Sequence, residues 1–591
     1  MKQLITRWGR DFDKEHVLTE YPRPQLIRNS YYNLNGEWEY SIGKTRKITE
    51  YTGKIIVPFS PETYLSGVER ILGPDEYLHY RKVFQLPENF QKDRVLLHFG
   101  AVDQECEVWL NGYQLGIHKG GYLPFTFDIT RELEEEENVL TLCVVDKTEL
   151  ASHARGKQKL VKKGKLGSLF YTPNSGIWKT VWMESVYQTY ITDVKITPCF
   201  DDSEVAFCIL TNREAKDAKI TILKDGKEMQ SKKVMTNQKV TLPLKSFAAW
   251  SPNNPNLYDV KIQCGKDEVM SYFGMRKLSI ERDRNGILRF FLNDEPFFFN
   301  GLLDQGYWPE SLVTPPSDEA LRYDILKLKE LGYNTIRKHI KIESERFYYH
   351  CDKIGMMVWQ DMPNGGGTYR MLLVSYLPNL CNWFARGMKD NCYALLKRED
   401  EAGRKQYYDD LKGMVELFYN HPSIAVWIPF NEGWGQFDAA RATECIQKID
   451  KTRWVNEACG WFDQKGGDIY SIHNYIFKLK VKPQKDRVVA LTEYGGYSYP
   501  VKNHLSCVKE FGYQAYHSSE ELTANYKRLW IEEIYPNLRK GLSSAIYTQT
   551  TDIEEEINGL MTYDREVSKM QESVIRELNE ELYRMFKELT M

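Results

Sequence analysis

The first third of the chain alternates apolar and polar residues in short runs that are separated by turn residues. The alternation recurs in YRKVFQLPE (80–88) and in EVWLNGYQLGI (107–117). A period of two predicts half-buried strands, and many such strands with frequent turns indicate an all-β sandwich over residues 1–187. The pair Asn111-Gly112 further predicts a two-residue hairpin, because its type I′ turn needs a positive φ at both positions.

A second set of alternating strands follows in residues 188–281. It includes DVKITPCF (193–200), KITILKDGKEM (219–229) and LYDVKIQC (257–264). The stretch has roughly the size of an immunoglobulin domain, so we expect a second and smaller β-sandwich.

After residue 281 the pattern changes to short apolar runs that alternate with amphipathic helical stretches, which indicates βαβ units and a parallel sheet. One helix is expected over 317–332, where Ser317 can cap the start and Gly332 can end it. The predicted strands are 297–303, 334–339, 356–362, 424–432, 453–458, 469–475, 488–496 and 543–552. Eight strand–helix units predict a closed (β/α)8 barrel over 282–591, with its chemistry at the C-terminal ends of the strands.

Residues 364–400 interrupt the third unit of the predicted barrel. This insertion carries Tyr369, Tyr376, Trp383 and Phe384. Long segments of this kind in a barrel are often functional, so we expect it at the rim, bordering the subsite of the leaving group.

Composition narrows the class of protein. The chain has 591 residues, too many for one hydrophobic core, and 42% of them are hydrophobic, so several ordinary globular domains are expected. The net charge of −3 gives no basic patch for nucleic acid and favours a neutral partner. Aromatic residues reach 13%, and such rings can stack on sugars, although β-rich proteins use many aromatics in any case.

The cysteines and histidines do not indicate a metal or a disulfide framework. The 11 cysteines form no C-x-x-C pair, and the 11 histidines show no ligand spacing. We therefore expect no metal and no cofactor, which counts against a metal-dependent hydrolase. No apolar run is long enough for a membrane span, and no signal segment is recognisable, so a cytoplasmic protein is expected unless a signal was removed.

Two predicted strands end in a carboxylate: the fourth in Asn431-Glu432 and the seventh in Thr492-Glu493. Two carboxyl groups on one cavity are what acetal hydrolysis needs, one to protonate the leaving oxygen and one to stabilise or capture the oxocarbenium-like carbon. A single strand-end Glu is more often a solvated loop residue. Two of them at equivalent barrel positions favour catalysis.

Several motifs resemble glycoside hydrolase family 2. SIAVWIPFNEGWGQ (423–436) is similar to the acid/base strand of that family, and LTEYGG (491–496) to its nucleophile strand. EVWLNGYQLGIHKGGYLPFTFDIT (107–130) and SGIWKTVWME (175–184) resemble its sugar-binding jelly-roll domain, and FFLNDEPFFFNG (290–301) its barrel entry. The resemblance thus spans nearly the whole chain.

The resemblance implies a retaining mechanism in which Glu432 is the general acid/base and Glu493 the nucleophile. Asn431 matches the asparagine that bonds the sugar 2-hydroxyl. Arg337 matches an arginine expected to keep the nucleophile ionised, and Tyr475 a tyrosine that hydrogen-bonds it.

The other candidate contacts of the substrate rest on thinner grounds. His339 stands where the family often has a substrate-contacting histidine, and Asp361 in VWQDMP resembles the Trp-Gln-Asp of mannosidase-like members. The remaining candidates lie at strand ends or just beyond them and are Asp304, His473, Trp434 and Gln549. Glu457, at the end of strand five, is a competing carboxylate that no family motif covers.

Two departures from the family pattern bear on the sugar. Thr548 and Gln549 stand where many members have a tryptophan, and the Asn-x-Lys motif of family glucuronidases is not visible in 550–565. The expectation is therefore exo-hydrolysis of a terminal β-linked neutral sugar, with β-galactosidase first and β-mannosidase, β-glucuronidase or another family specificity open. A non-catalytic carbohydrate-binding protein is the alternative from another class, and a homo-oligomer is expected from the flat sandwich faces.

Overall fold

The computed structural model describes residues 3–48, 50–160, 169–380, 382–507 and 510–591, and three domains follow one another along the chain. The chain begins with a short helix, α1 (Arg7–Arg10), that packs on the third domain through the rings of Trp8 and Trp308.

The first domain is a sandwich of two antiparallel sheets. One has the strand order β1-β12-β5-β9 and the other β3-β2-β4-β10-β7-β8, with an apolar core between them. Its strands are β1 (Tyr32–Asn33), β2 (Gly36–Gly43), β3 (Gly53–Val57), β4 (Tyr77–Phe84), β5 (Arg94–Phe99), β6 (Val102–Asp103), β7 (Glu105–Leu110), β8 (Tyr113–Lys119), β9 (Phe125–Asp128), β10 (Asn138–Val145), β11 (Gly176–Ile177) and β12 (Val181–Val186). Asn111 and Gly112 join β7 to β8 with φ of 50° and 83°, as their sequence predicts.

The second domain is a smaller sandwich of seven strands. A three-stranded sheet, β13-β14-β17, faces a four-stranded sheet, β16-β15-β18-β19, and apolar side chains from both sheets fill the space between them. Its strands are β13 (Ile191–Cys199), β14 (Glu204–Thr211), β15 (Asp217–Lys224), β16 (Lys227–Met235), β17 (Lys239–Pro243), β18 (Tyr258–Cys264) and β19 (Asp267–Phe273).

A three-stranded antiparallel sheet lies between the second domain and the barrel. It consists of β20 (Leu278–Arg282), β21 (Leu288–Leu292) and β22 (Glu295–Phe297). Phe290 of β21 packs against Phe299, Trp359 and Trp454, which belong to the barrel strands. The small sheet therefore closes the N-terminal end of the barrel.

The third domain is an eight-stranded parallel barrel in which the strands predicted from the sequence are confirmed. The hydrogen-bonded order β27-β26-β25-β24-β23-β32-β29-β28 is that of a barrel read from the fifth strand round to the sixth. The barrel strands are β23 (Phe299–Asp304), β24 (Thr335–Lys338), β25 (Met357–Asp361), β26 (Ile424–Ile428), β27 (Trp454–Val455), β28 (Ile469–Asn474), β29 (Val488–Gly495) and β32 (Leu542–Thr548); two short strands, β30 (Tyr497–Ser498) and β31 (Gln514–Ala515), pair after β29.

Helices pack around the barrel after most of its strands. Ser317 caps the first of them, its Oγ accepting a hydrogen bond from the Ala320 N–H at 3.1 Å, and Gly332 follows the end with φ of 88°. The helices are α2 (Asp318–Glu330), α3 (Glu345–Ile354), α4 (Leu377–Leu380), α5 (Asn382–Gly387), α6 (Glu401–Leu417), α7 (Ala439–Ile449), α8 (Ser519–Leu529), α9 (Tyr535–Leu538) and α10 (Glu572–Thr590); a 3-10 turn covers Thr148–Leu150, and π-helical turns cover Leu372–Tyr376 and Trp530–Ile534.

The expectation of eight complete strand–helix units is wrong in two places. Residues 456–468 and 475–487, all of which are described, connect their strands without a helix. The first connection contains Gly460 and Gly467 at positive φ and the second contains Pro483, and these residue types interrupt helices. Both connections are instead irregular.

The predicted ends of all barrel strands except β23 are also too late, by one to four residues, and three cases bear on predicted site residues. β26 ends at Ile428, before Asn431 and Glu432, β28 ends just before Tyr475, and β32 ends just before Gln549. These side chains therefore stand on the first residues of the loops, where the backbone is free to leave the sheet geometry.

Candidate active site

The C-terminal ends of five barrel strands bring the principal predicted residues together. Arg337 belongs to β24, Asp361 ends β25, and Glu493 belongs to β29. Glu432 follows β26, and Tyr475 follows β28. All five side chains are buried.

Glu493 is held by hydrogen bonds to both of its carboxylate oxygens. The Arg337 guanidinium donates to Oε1 at 2.9 Å, and the Tyr475 hydroxyl donates to Oε2 at 2.5 Å. Burial by itself would raise the pKa of Glu493, but the charges of His473 and Arg337 and the Tyr475 hydrogen bond together lower it below its usual value. Glu493 is therefore an ionised carboxylate in a fixed orientation.

Arg337 is the centre of the ionic network. It donates two parallel hydrogen bonds to Asp361, at 3.0 and 2.8 Å, and one to the Asn431 amide oxygen at 2.7 Å, in addition to its bond to Glu493. Two acidic neighbours compensate the buried guanidinium, and the fork geometry fixes its plane. Asp361 thus has both oxygens engaged by Arg337 and orients that residue.

Glu432 is positioned by the left-handed backbone conformation that follows β26. Its φ is 52°, and two hydrogen bonds hold the peptide: its N–H donates to the Cys459 carbonyl at 2.9 Å, and its carbonyl accepts from Trp461 Nε1 at 2.8 Å. A non-glycine residue in this region is strained and persists only where its surroundings impose it, which is typical of functional sites. The constraint directs the carboxyl group toward His473, which lies 2.8 Å from Oε1 through Nδ1.

His473 lies between the two glutamates. Its Nδ1 is 2.8 Å from Glu432 Oε1 and 3.5 Å from Glu493 Oε2, while Nε2 is 3.3 Å from the Cys459 sulfur. Burial would lower the pKa of His473, but Glu493, Cys459 and Glu432 raise it to about 10. The imidazole is thus a cation at neutral pH and donates a charge-assisted hydrogen bond to Glu432.

The two glutamates are close together, and their pKa values are shifted in opposite directions. Oxygens of Glu432 and Glu493 lie within 4.8 Å of each other. Inverting enzymes separate their carboxyl groups by roughly 6.5–9.5 Å and retaining enzymes by about 5–5.5 Å. Burial and then the Glu493 charge raise the pKa of Glu432, whereas that of Glu493 is lowered. The pair therefore divides into an acid and a carboxylate, as double displacement requires.

Three polar atoms around this pair have no hydrogen-bond partner among the described residues. They are His339 Nε2, Asn431 Nδ2 and Trp434 Nε1, all on buried side chains. His339 Nε2 is 3.7 Å from Glu493 Oε1. Buried polar groups are almost always paired in proteins, so free atoms beside the two carboxyl groups mark positions that a polar ligand can satisfy.

Trp434 lies on the Glu432 side of the pocket, in a group of aromatic rings. It is stacked with Tyr369 at 6.3 Å between centroids and lies 5.5 Å from Phe170, and Lys157 Nζ is 5.9 Å from its centroid. Tyr369 belongs to the insertion and Phe170 to the first domain. The wall here is therefore built from three separate parts of the chain.

Two predicted contacts, Asp304 and Gln549, make no hydrogen bond with either glutamate among the described residues. Asp304 is bonded to Lys338 Nζ at 2.6 Å, which in turn is 3.3 Å from Glu343. Gln549 accepts a hydrogen bond from Gln305 at 2.7 Å and donates one to Asn558 at 2.9 Å. Both side chains are thus hydrogen-bonded within the protein.

Glu457, the competing carboxylate, faces another loop. Its Oε2 accepts from the Gly466 N–H at 2.9 Å, and burial raises its pKa. The structure therefore keeps it out of the group formed by Glu432, His473 and Glu493.

Sequence reasoning missed several side chains near the glutamate pair. Lys157 and Tyr171 come from the first domain and bind Glu556, which follows β32. Tyr513 stacks on Tyr475 at 3.9 Å with a 4° interplanar angle, and Gln305 bonds the Tyr171 hydroxyl at 2.6 Å. Lys157, Tyr171 and Tyr513 lie far in sequence from the ends of the barrel strands, so no strand-end signal points to them, whereas Gln305 directly follows β23 and the same signal could have found it.

The insertion lies at the same end of the barrel as the glutamates. The Asn364 side chain bonds the Tyr369 hydroxyl at 2.8 Å, and the Val374 carbonyl accepts from Trp461 Nε1 at 3.1 Å. It contains the helices α4 and α5 rather than irregular backbone throughout. The side chains of three aromatic residues named from the sequence lie outside the described residues: Tyr376, Trp383 and Phe384.

One ligand atom from each of Glu432, His473 and Glu493 lies within 4.8 Å of the other two, a spacing that could also hold a metal ion. Among the described residues no helix is long and apolar enough to cross a membrane.

A cavity of about 790 Å³ lies elsewhere, between the two sandwiches and the barrel. Its lining includes Lys179 and Glu345, and burial brings the pKa of each to about 7. The glutamate pair is not part of it, so volume alone does not locate the chemistry.

The comparisons with known proteins agree with this architecture. Residues 71–161 match the sugar-binding domain of glycosyl hydrolases family 2, residues 189–276 match glycosyl hydrolases family 2, and residues 288–535 match the TIM barrel domain of that family. These matches cover most of the chain, in the order of the three observed domains. The chain belongs to glycoside hydrolase family 2.

Individual relatives differ in the sugar that their names state. A β-galactosidase of Thermoanaerobacter pseudethanolicus is 27% identical over 72% of this chain and 54% of its own length, and a β-glucuronidase of Streptococcus agalactiae is 23% identical over 70% and 68%. The chain thus spans little more than half of the first of these relatives. A solved β-glucuronidase from Dictyoglomus thermophilum has a TM-score of 0.74 at 18% identity, covering 95% of this chain and 98% of that one.

Proposed function

We propose that this protein is a retaining exo-β-glycosidase that hydrolyses terminal β-linked sugars through a covalent glycosyl-enzyme. The carrying observation is the pair of buried glutamates with oxygens within 4.8 Å, one with a raised and one with a lowered pKa. This is the arrangement that double displacement at an acetal requires. The family membership supports the same chemistry.

In the first step Glu493 attacks the anomeric carbon while Glu432 donates its proton to the leaving oxygen. Arg337 and Tyr475 fix the two oxygens of Glu493 and keep it ionised before attack. Once the ester has formed, Glu493 no longer carries the charge that helps to raise the pKa of Glu432. Glu432 can then act as the base that activates water for the second step.

The unpaired atoms provide the contacts for the sugar. Asn431 Nδ2 is free because its amide oxygen is taken by Arg337, so the amide can donate to a hydroxyl beside the anomeric carbon. Hydrogen bonds to the 2-hydroxyl of this kind strengthen in the transition state. Asn431, which directly precedes the proposed acid Glu432, would thus contribute both to sugar binding and to catalysis.

A neutral sugar such as galactose is the first candidate. Lys157, from the first domain, lies by Trp434 at the mouth of the pocket, and Glu556 stands 3.3 Å from its Nζ. Because this carboxylate compensates the Lys157 charge, the pair presents no net charge to the sugar. A β-galactosidase activity is compatible with this uncharged Lys157–Glu556 pair, and several curated relatives carry that name.

A uronide is the second candidate, and Lys157 again supplies the observation. Its ammonium has three N–H groups, two of which face Glu556 and the Tyr171 hydroxyl, so one remains for a sugar carboxylate. Solved structures named β-glucuronidase and β-galacturonidase share the fold over nearly the whole chain.

A non-catalytic carbohydrate-binding protein remains the alternative from another class. A binder gains nothing from a protonated carboxyl and an ionised one within 4.8 Å, because burying two acids is costly without a chemical role. The insertion beside Trp434 is proposed to border the leaving-group subsite, and a homo-oligomer remains a proposal that light scattering can test.

The decisive experiment is a screen of aryl β-glycosides that share one leaving group and differ in the sugar. Galactoside, glucoside, mannoside, glucuronide and galacturonide are compared on the wild-type protein and on Glu493→Gln. Turnover of one sugar by the wild type alone supports the glycosidase. No turnover of any glycoside, together with retained sugar binding, would favour the carbohydrate-binding alternative.

A matched variant separates the two sugar classes. Lys157→Met removes the ammonium and keeps an unbranched side chain of similar length. If the substrate is a uronide, this variant loses most of its activity through KM. If the substrate is neutral, the preference for a neutral sugar over its uronide stays or increases.

A further inference from the structure

A chain of hydrogen bonds connects Glu556 with His339 across the mouth of the pocket. Asn558 Nδ2 donates to Glu556 Oε1 at 3.1 Å, and the Asn558 oxygen accepts from Gln549 Nε2 at 2.9 Å. Gln549 Oε1 accepts from Gln305 Nε2 at 2.7 Å, and Gln305 Oε1 lies 3.3 Å from His339 Nδ1. The side chains are buried, so water does not compete for these bonds.

The Glu556 carboxylate at one end fixes which group donates and which accepts in each hydrogen bond of the series. Glu556, paired with Lys157, can only accept, so the nitrogen of Asn558 must face it and the oxygen of Asn558 must face Gln549. The same reasoning passes along the amides to Gln305, whose oxygen then faces His339. Each amide is oriented by the one before it.

A second path from Glu556 leads to the same orientation of Gln305. The Tyr171 hydroxyl donates its single proton to Glu556 Oε2, so its oxygen is left as an acceptor. Gln305 Nε2 lies 2.6 Å from that oxygen and must be the donor. Both N–H groups of the Gln305 amide are thus used, toward Tyr171 and toward Gln549, and only its oxygen is available to His339.

The orientation of Gln305 decides the tautomer of His339. A neutral imidazole carries one N–H, and Gln305 Oε1 requires that proton on Nδ1. Burial, followed by the charges of Lys157 and Arg337, lowers the pKa of His339 well below its usual range, so the ring is neutral. Nε2, which has no partner among the described residues, is then a lone-pair acceptor that lies 3.7 Å from Glu493 Oε1.

We propose that Glu556 is a positioning residue that acts through Asn558, Gln549 and Gln305 to hold His339 as the Nδ1–H tautomer. His339 Nε2 then accepts a hydrogen bond from a hydroxyl of the bound sugar. The proposal rests on the proposed function for the identity of the ligand, whereas the tautomer itself does not depend on it. An acceptor here matches a hydroxyl and is mismatched with a carboxylate oxygen.

The direct test is the ring-nitrogen NMR spectrum of the protein labelled with ¹⁵N-histidine, with His339 assigned from the signal that His339→Gln removes. The wild type should show a neutral ring protonated on Nδ1. Glu556→Gln has nearly the same volume but can donate as well as accept, so it should give a mixture of tautomers or the Nε2–H form. A wild-type ring protonated on Nε2, or an unchanged spectrum in Glu556→Gln, overturns the proposal.

Two variants separate the effect of this series of hydrogen bonds, here called the relay, from the effect of the ion pair that Glu556 forms with Lys157. Lys157→Met removes the cation and leaves the acceptor-only carboxylate, so the Nδ1–H tautomer should persist. Gln305→Glu in the Glu556→Gln background restores an acceptor next to Nδ1 and should restore that tautomer. If Lys157→Met gives a mixture of His339 tautomers and Gln305→Glu does not restore the Nδ1–H form, the ion pair and not the relay determines which nitrogen is protonated.

Kinetics with the aryl glycoside found in the screen give the functional test. Loss of one hydrogen bond corresponds to about a tenfold fall in kcat/KM, which we expect for Glu556→Gln. In the His339→Gln background the same substitution should cost almost nothing, because the group that it orients is gone. Equal costs in both backgrounds overturn the coupling. If no glycoside is turned over at all, the proposed function fails, and the tautomer measurement still stands by itself.

Discussion

The two ends of the barrel interior bury side chains in opposite ways. At the N-terminal end Phe290 of the small sheet packs on Phe299, Trp359 and Trp454, and the contacts are apolar. Two residues after Trp359 on the same strand, Asp361 lies in the ionic network of Arg337. Because side chains alternate along a strand with a period of two, both point into the barrel. Trp359 contacts aromatic rings there, whereas Asp361 contacts a charged group.

The difference shows how each end is stabilised and what each can do. At the N-terminal end the rings pack against one another and only Trp359 Nε1, among the rings named there, is buried without a hydrogen-bond partner, so this end contributes mainly stability. At the C-terminal end buried charges are tolerated only because they are paired, and the few unpaired polar atoms, such as Asn431 Nδ2, remain for a ligand. Substitutions at the two ends should therefore separate activity from stability.

The largest effect is expected for Glu493→Gln at the polar end. Removing the nucleophile should lower kcat for every substrate by more than ~10⁴-fold. The catalytic groups act together, so the loss of one of them removes nearly all of their joint rate acceleration. Burst and steady-state assays on the glycoside found in the screen measure it. With Glu493→Ala, azide should attack the substrate directly and yield the inverted α-glycosyl azide. A β-azide from this variant would mean that the roles of the two glutamates are exchanged.

Glu432→Gln should have a smaller effect that depends on the leaving group. An activated aryl leaving group needs little protonation, whereas poor leaving groups should lose about 10²–10⁴-fold, the range of acid–base catalysis. Deglycosylation then lacks its base, and azide should restore turnover and give the β-glycosyl azide of retained configuration. A loss that is the same for all leaving groups would speak against Glu432 as the acid.

Tyr475→Phe should act through the pKa of Glu493. The hydroxyl is one of the groups that lower this pKa, so its removal should raise it. Because the nucleophile must be ionised, the acidic limb of kcat/KM should move to higher pH, and kcat/KM at neutral pH should fall by about tenfold for one charge-assisted hydrogen bond. The basic limb, assigned to Glu432, serves as the internal reference. A shift of the acidic limb to lower pH would contradict the assignment.

The smallest effect on activity is expected from the apolar end. Phe290→Ala leaves a cavity among rings and should lower the free energy of unfolding by about 3–5 kcal/mol. The kcat/KM of the folded protein should change by less than about threefold, because no reacting group moves. Thermal unfolding and kinetics on the same sample check both values. A large loss of kcat/KM below the unfolding temperature would show that the two ends are coupled.

The local sequence predicts the elements better than it predicts their ends. The eight barrel strands are found where apolar runs predict them, and the Asn111-Gly112 turn and the Ser317 cap have the expected geometry. The missing helices after β27 and β28 and the early end of β26 were not predicted. Apolar periodicity gives the position of a strand, whereas its last residue depends on what the following loop contacts.

Glu432 and Gln549 illustrate what the sequence can give for the site. Strand-end position and family motifs are enough to select Glu432 and Glu493, because barrel topology brings all C-terminal strand ends to one face. The same reasoning selects Gln549 as a sugar contact, but in the structure it is engaged by Gln305 and Asn558. Proximity to the face does not tell whether a side chain is free or already paired.

By itself the sequence determined the order of three domains and the barrel and selected its candidate catalytic pair, since these depend on periodicity and on short motifs within single strands. Only the tertiary structure decided how Lys157 and Tyr171 of the first domain meet Glu556 of the last loop, and how that carboxylate reaches His339 through three amides. The contacts of Glu556 with Lys157 and Tyr171 join residues 399 and 385 positions apart. No local pattern encodes them, because hydrogen-bond direction is set by the partner that the fold supplies.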